Sequence, residues 1–143
     1  MTVRVEQTIR VSAPPERVWE FIADPEKRAR SISVVTDWED RGDGTSTWFL
    51  RLPIPVINKT VTVETEDVER RPPEYVRFVG KSKAMRVQGE HELEPTEDGG
   101  TALHNRFVVD GRFPGVERFF KRNLGGEIDN LETALREDLG MEV

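Results

Sequence analysis

Two side chains of this 143-residue chain combine titratable chemistry with an apolar setting: His91 and Glu127. His91 stands in "RVQGEHELEP". There Val87, Gly89, His91 and Leu93 fall on one face, and Arg86, Gln88, Glu90, Glu92 and Glu94 on the other. Successive side chains of a strand point to opposite faces, so the charged set meets water and His91 turns inward. Glu127 stands in "RNLGGEIDNLETAL". At helical period Val116, Phe120, Leu124, Ile128, Leu131 and Leu135 form one apolar stripe. Glu127 falls inside that stripe and Asn123 at its edge. A buried unpaired charge is costly, so Glu127 must be paired, hydrated or neutralised. Asn105 also faces inward, with Leu103, Phe107 and Val109, whereas His104 faces out. His91 and Asn105 are the expected partners of Glu127.

Such a set supports two chemistries. A few polar groups in an apolar cavity orient a ligand, and a histidine and a carboxylate within reach of each other move a proton. The plain alternatives are a helix-edge Glu127 that reaches water and a His91 that is a satisfied wall residue. Other chemistries are excluded. The chain has no cysteine, so thiolate catalysis, disulfides and cysteine-ligated zinc are absent. Two histidines do not make a multi-histidine metal site. "TDWEDRGDG" lacks the ligand order of a calcium loop. There is no nucleophile elbow, phosphate loop or dinucleotide fingerprint. Neither cofactor nor metal is expected, and a catalytic set beyond His91 and Glu127 is not recognisable.

The elements that must position these groups can be read from periodicity. Residues 3–11 alternate as a half-buried strand that turns Gln7 inward. "SAPPERVWEFIADPEK" carries a possible cap at Ser12, prolines in a first helical turn, and an apolar face of Val18, Trp19, Phe21 and Ile22. Asp24-Pro25 starts a second short helix to about residue 30. Residues 33–40 and 45–52 form a hairpin around "RGDG". Strands follow over 58–69, where Val61, Val63 and Thr65 align, and over 75–83, 85–94 and 101–110. From Pro114 to about Leu139 the pattern is one helix of about 39 Å. Its paired glycines, Gly125 and Gly126, each cost roughly 1 kcal/mol relative to alanine. A bend near 125–126 is expected, with Gly126 at a close approach. Strands followed by a helix make an α+β domain, a single one over 1–143.

Two segments resemble a known family. "RVSAPPERVWEFIADPEK" is similar to the entry motif of the START-like, helix-grip superfamily (polyketide cyclase/dehydrase and lipid-transport, SRPBCC-type), through Val11, Ala13, Pro14, Val18, Trp19, Phe21, Ile22, Asp24 and Pro25. "GEHELEPTEDGGTALHNRFVVDG" and the long helix resemble that family's last hairpin and closing helix. The last third also loosely resembles the subgroup named for carbon monoxide dehydrogenase. The resemblance implies a seven-stranded curved antiparallel sheet gripping the C-terminal helix, two short helices after the first strand, and an internal cavity. It implies binding of lipids, quinones, isoprenoids or polyketide-like molecules, or cyclase/dehydratase catalysis. "RARSISVV", residues 28–35, departs from the family's usual Pro-Trp-like pair, so the cavity mouth is expected to differ in shape.

The candidate cavity lining is then Phe21, Val61, Val63, Val87, His91, Asn105, Phe107, Phe120, Asn123, Glu127 and Leu131. Trp48, Phe49, Leu50 and Leu52, with "PIPVI", form either a lip over the cavity or ordinary core and an edge segment. The 27 acidic against 21 basic residues leave a net charge of −6, which argues against nucleic acid and anionic membranes. No apolar run is long enough to span a bilayer and no signal-peptide core opens the chain, so cytoplasm is the expected location. Three functions compete: a carrier or sensor of a small hydrophobic molecule, an enzyme using His91 and Glu127 for proton transfer, and an assembly or interaction module presenting 53–57. The oligomeric state is open.

Overall fold

The computed structural model describes residues 2–54 and 60–141. Its order is β1 (Thr2–Val11), α1 (Pro15–Ile22), α2 (Pro25–Ser31), β2 (Val35–Asp40), β3 (Thr45–Leu50), β4 (Val61–Arg71), β5 (Tyr75–Lys81), β6 (Met85–Pro95), β7 (Thr101–Gly111) and α3 (Pro114–Asp138). The seven strands form one curved antiparallel sheet, ordered β1-β7-β6-β5-β4-β3-β2. Every neighbouring pair except β1–β7 is also consecutive in sequence, as hairpin turns produce. The last strand returns to pair with the first, Gln7 opposite Asn105.

One face of the sheet is covered by α3, with α1 and α2 closing one end. Two apolar clusters result. The first joins Val116, Phe120 and Leu124 of α3 to Trp48, Leu50, Val63, Phe78 and Val109. The second joins Leu131, Leu135 and Leu139 to Ile9, Val18, Ile22, Val76 and Leu103. Apolar burial of this kind stabilises by roughly 25 cal/mol per Å². α1 begins at Pro15 and Pro14 takes the cap position without a side-chain bond, so Ser12 does not cap it. A proline in the first turn removes a donor that the helix would otherwise leave unpaired. α2 is capped by Asp24, which accepts from the Glu26 amide at 2.9 Å.

The glycine pair does not make the close approach expected from the sequence. α3 runs unbroken through it. Both glycines are exposed, and a Cβ at either would meet nothing within 4 Å. No neighbour therefore requires glycine at Gly126, and the close-approach expectation is wrong. The expected consequence is a gain: Gly126→Ala should stabilise the fold by about 0.5–1 kcal/mol. A urea melt checks this, and a loss of stability would show a constraint that packing does not reveal. Close approach occurs elsewhere. Gly89 faces Phe78 across β5–β6, and a Cβ on Gly89 would lie 2.2 Å from the Phe78 ring.

Candidate functional site

Between the two clusters, under the middle of α3, lies a cavity of about 60 Å³. Phe120, Leu124, Glu127, Ile128 and Leu131 form its roof. These positions share one helical face. The floor is set by rows of residues that the sheet register places side by side. One row runs Asp67, Phe78, Gly89, Phe107 across β4 to β7, and the next runs Val76, His91, Asn105 across β5 to β7; of these Phe78, Phe107 and His91 line the cavity. The departing segment "RARSISVV" supplies an end wall through Arg28, Ser31, Ile32, Val34 and Val35. The exposed lining is almost wholly apolar.

Of the sequence candidates, Val63, Val87, His91, Phe107, Phe120, Glu127 and Leu131 line this cavity. Four do not. Phe21 is buried in the second cluster, toward the far end of α3. Val61 is half-buried against the first cluster. Asn105 is buried behind His91. Asn123 is exposed and donates to the Phe119 carbonyl of its own helix at 2.8 Å, a local bond that competes with an inward orientation. Trp48, Leu50 and Leu52 are buried in the first cluster, and Trp48 and Leu50 also line the cavity. Of 53–57, residues 55–57 lie outside the described residues, and Ile54 is buried.

His91 and Glu127 line the same cavity, yet their hydrogen bonds go elsewhere. Glu127, 9 % exposed, accepts from the Ser33 amide at 2.8 Å, from the Ser33 hydroxyl, and from Asn130 Nδ2 at 3.4 Å. The expected Glu127 partners, His91 and Asn105, instead bond each other: His91 Nδ1 and Asn105 Oδ1 are 2.7 Å apart. Ser33 sits in the short turn from α2 to β2, so Glu127 ties α3 to the end wall of the cavity. His104 lies outside, bonded to Thr8 and Glu94.

Sequence reasoning passed over Arg28 and Asp67. The Arg28 guanidinium stacks 4.9 Å over Phe78. Its Nη2 lies 2.6 Å from Asp67 Oδ1, with the two side chains 4 % and 2 % exposed. Arg70 takes the other Asp67 oxygen at 2.7 Å. The same two arginines donate to the carbonyls of Ile22 and Ala23, which end α1 and lack helical partners. A bulge in β4 after Asp67 breaks the alternation there, as bulges do when they re-aim a side chain. A signal existed: Asp67 continues the inward series Val63, Thr65 by two. Burial lowers the Arg28 pKa, and Asp67 opposes that shift.

Burial, and next the positive charge of Arg28, push the His91 pKa from 6.5 down to about 3, against the raising effect of Asn105. His91 is therefore neutral in the fold, while the unfolded chain protonates it near pH 6.5. Between pH 6.5 and about 3 the unfolded state binds the extra proton. Stability contributed by neutral His91 is complete above pH 6.5 and falls as pH drops, by about 1.4 kcal/mol per pH unit. From pH 7 to 5 the protein should lose about 2 kcal/mol that a His91→Gln variant does not lose. Urea unfolding at the two pH values measures this, and parallel losses in both proteins would refute it.

Among the described residues no three His, Asp or Glu side chains gather as metal ligands, and no helix is long and apolar enough to cross a membrane.

The sequence pattern of the family described as polyketide cyclase / dehydrase and lipid transport matches residues 2–136. The chain belongs to this family. Solved structures agree with the assignment at the level of the fold. The START superfamily protein from Mycobacterium smegmatis superposes with a TM-score of 0.74 at 13% identity, over 96% of this chain and 97% of that one. The Zhui aromatase/cyclase from Streptomyces sp. R1128 does so at 0.69 and 17%, over 97% and 96%. A conserved protein from Geobacillus kaustophilus does so at 0.74 and 19%, over 96% and 95%. Identities this low speak for a shared fold alone. No curated protein matches the sequence. Within the polyketide cyclase/dehydrase and lipid transport family, these matches do not single out the subgroup named for carbon monoxide dehydrogenase.

Proposed function

We propose that this family member binds a small hydrophobic molecule in the cavity between sheet and α3, as a carrier or sensor rather than a catalyst. The observation that carries the reading is the space itself, walled largely by apolar side chains from α3 and six strands, most of them members of the first core cluster. Apolar burial supplies affinity in such a site and a few polar groups supply orientation. The lipid-transport part of the family description and the aromatase/cyclase relative support the same ligand class. Proton transfer has weaker support. A base with a pKa near 3 is far from the neutral value that general catalysis favours, and the Glu127 carboxylate is engaged by Ser33.

A dry cavity that admits benzene measures about 150 Å³, so a cavity of about 60 Å³ must widen to accept a ring. The turn holding Ser33 is the wall best placed to move, since Ser33 is exposed and Ile32 and Val34 line the cavity. Native mass spectrometry of the purified protein, followed by organic extraction, should reveal a bound apolar molecule. Leu124→Trp, which fills the space, should abolish the extra mass. Protein that emerges empty and retains none of a panel of fatty acids, isoprenoids and aromatics would overturn the reading.

A further inference from the structure

The outer face of the first half of α3 differs in charge from the rest of the chain. Residues 112–122, "RFPGVERFFKR", hold Arg112, Arg118, Lys121 and Arg122 against Glu117 alone. All four basic side chains are exposed. At helical period Arg118, Lys121 and Arg122 fall within about 100° of one another, opposite the stripe of Val116, Phe120 and Leu124 that meets the sheet. Two aromatic rings share this end: Phe113, 45 % exposed, and Phe119, half-buried and 5.1 Å from the Phe120 ring. The Arg112 amide donates to the Ala84 carbonyl at 2.9 Å, which brings the turn carrying Lys83 alongside.

This charge does not serve the helix. Residues 127–138, in its second half, hold five acidic side chains and one basic. The macrodipole favours the reverse order, anions toward the start of a helix and cations toward its end. In the second half Arg136 is held by Glu132 at 3.1 Å, whereas among the described residues no carboxylate holds Arg112, Arg118, Lys121 or Arg122. The net charge of −6 conceals the asymmetry: residues 112–122 carry +3, so the remainder carries −9. Four such cations beside an exposed ring fit an anionic partner outside the chain. A nucleic acid extends past the patch, needs many phosphate contacts and meets the acidic remainder. A bilayer touches one end of the molecule and leaves the acidic remainder in water, where salt screens charges beyond about 8 Å. Phe113 also favours the bilayer, because an aromatic ring buries apolar area among the headgroups. Lys and Arg lay their stems along that boundary and keep their charge at the phosphates.

We infer that Arg112, Arg118, Lys121 and Arg122, with Phe113, dock this protein on an anionic lipid surface. The inference goes beyond the carrier reading and does not depend on it. The docked face covers the same turns of α3 whose inner side, through Phe120 and Leu124, roofs the cavity. Docking therefore sets the cavity next to the bilayer.

Co-sedimentation of the full chain with vesicles tests this, using phosphatidylcholine alone and phosphatidylcholine with about a third phosphatidylserine. Binding to the anionic vesicles should be at least about tenfold tighter than to the neutral ones and should weaken as salt rises. Each basic side chain near an anionic surface strengthens binding roughly fivefold. Arg118→Gln, Lys121→Gln and Arg122→Gln together should therefore weaken it by at least about tenfold. Phe113→Ser should weaken binding by about threefold or more and leave its salt dependence unchanged. Phe113 holds the cap position of α3, where serine is a favoured residue, so this variant keeps its fold and its urea midpoint should not drop. Equal binding of the parent and the triple variant to anionic vesicles would overturn the assigned surface. A short DNA duplex bound more tightly than the anionic vesicles at the same salt would overturn the lipid assignment in favour of nucleic acid. Sedimentation with neither vesicle would overturn docking and leave the carrier reading, which is tested by cargo in solution, standing.

Discussion

Replacing Asp67 by alanine is expected to lower the unfolding free energy by about 3–5 kcal/mol, the usual cost of removing one partner from a buried ion pair. The pair is 4 % and 2 % exposed at 2.6 Å, well outside the class of surface salt bridges that contribute at most about 1 kcal/mol. Without Asp67 the Arg28 charge stays buried against the face of Phe78, and burial already lowers its pKa. Arg70, which is 40 % exposed, can turn to water and adds little. The damage should come from the stranded charge rather than from the missing attraction. The double replacement Arg28→Met, Asp67→Leu should therefore recover most of the loss, because apolar substitutes for a buried pair are often neutral. Urea unfolding of the three proteins decides it. A loss below about 1 kcal/mol for Asp67→Ala would place the pair in the surface class and remove it as the anchor of the α1–α2 end.

Phe78→Ala should cost a comparable amount, about 3–5 kcal/mol, as large-to-small changes of buried aromatics do. The ring is 2 % exposed and is central to the sheet side of the site. It meets Trp48, His91 and Phe107 at centroid distances of 5.7, 6.1 and 6.5 Å and carries Arg28 on its face. It also lies against the Gly89 backbone, which the absent side chain leaves bare. The variant should enlarge the cavity as it destabilises the fold, so toluene should bind it more tightly than the parent while its urea midpoint falls. The same packing can be tested from the other side. Gly89→Ala pushes a methyl group into the ring and should cost about 1–3 kcal/mol through overpacking. A tolerant Gly89→Ala would mean that Phe78 has room to shift, and the cavity floor would then be soft.

The local chemistry of this chain was legible to a large degree. Alternation over Val87, Gly89, His91 and Leu93 turned His91 inward, where it is 1 % exposed, because the two faces of a strand are separated by the geometry of the chain itself. The stripe from Phe120 to Leu135 brought Glu127 to the cavity for the same kind of reason at helical period. The order of elements followed from turns such as "RGDG" and from prolines at helix starts, each a constraint on local dihedral angles. Where local rules had no purchase, the reading failed. Gly126 was placed at a close approach, but contact depends on the neighbour, and there is none within 4 Å of where its Cβ would stand.

What the sequence by itself determined is which side of each element is wet. Which buried group meets which other was decided only by the tertiary structure. Glu127 pairs with Ser33 across 94 positions and Arg28 with Asp67 across 39. Asn105 pairs with His91 only because β6 and β7 take the register that sets them opposite. Periodicity assigns a face through angles internal to one segment. A hydrogen bond demands atoms within about 3 Å of each other, and that distance is fixed by sheet register, a bulge after Asp67 and the seat of α2 on the sheet.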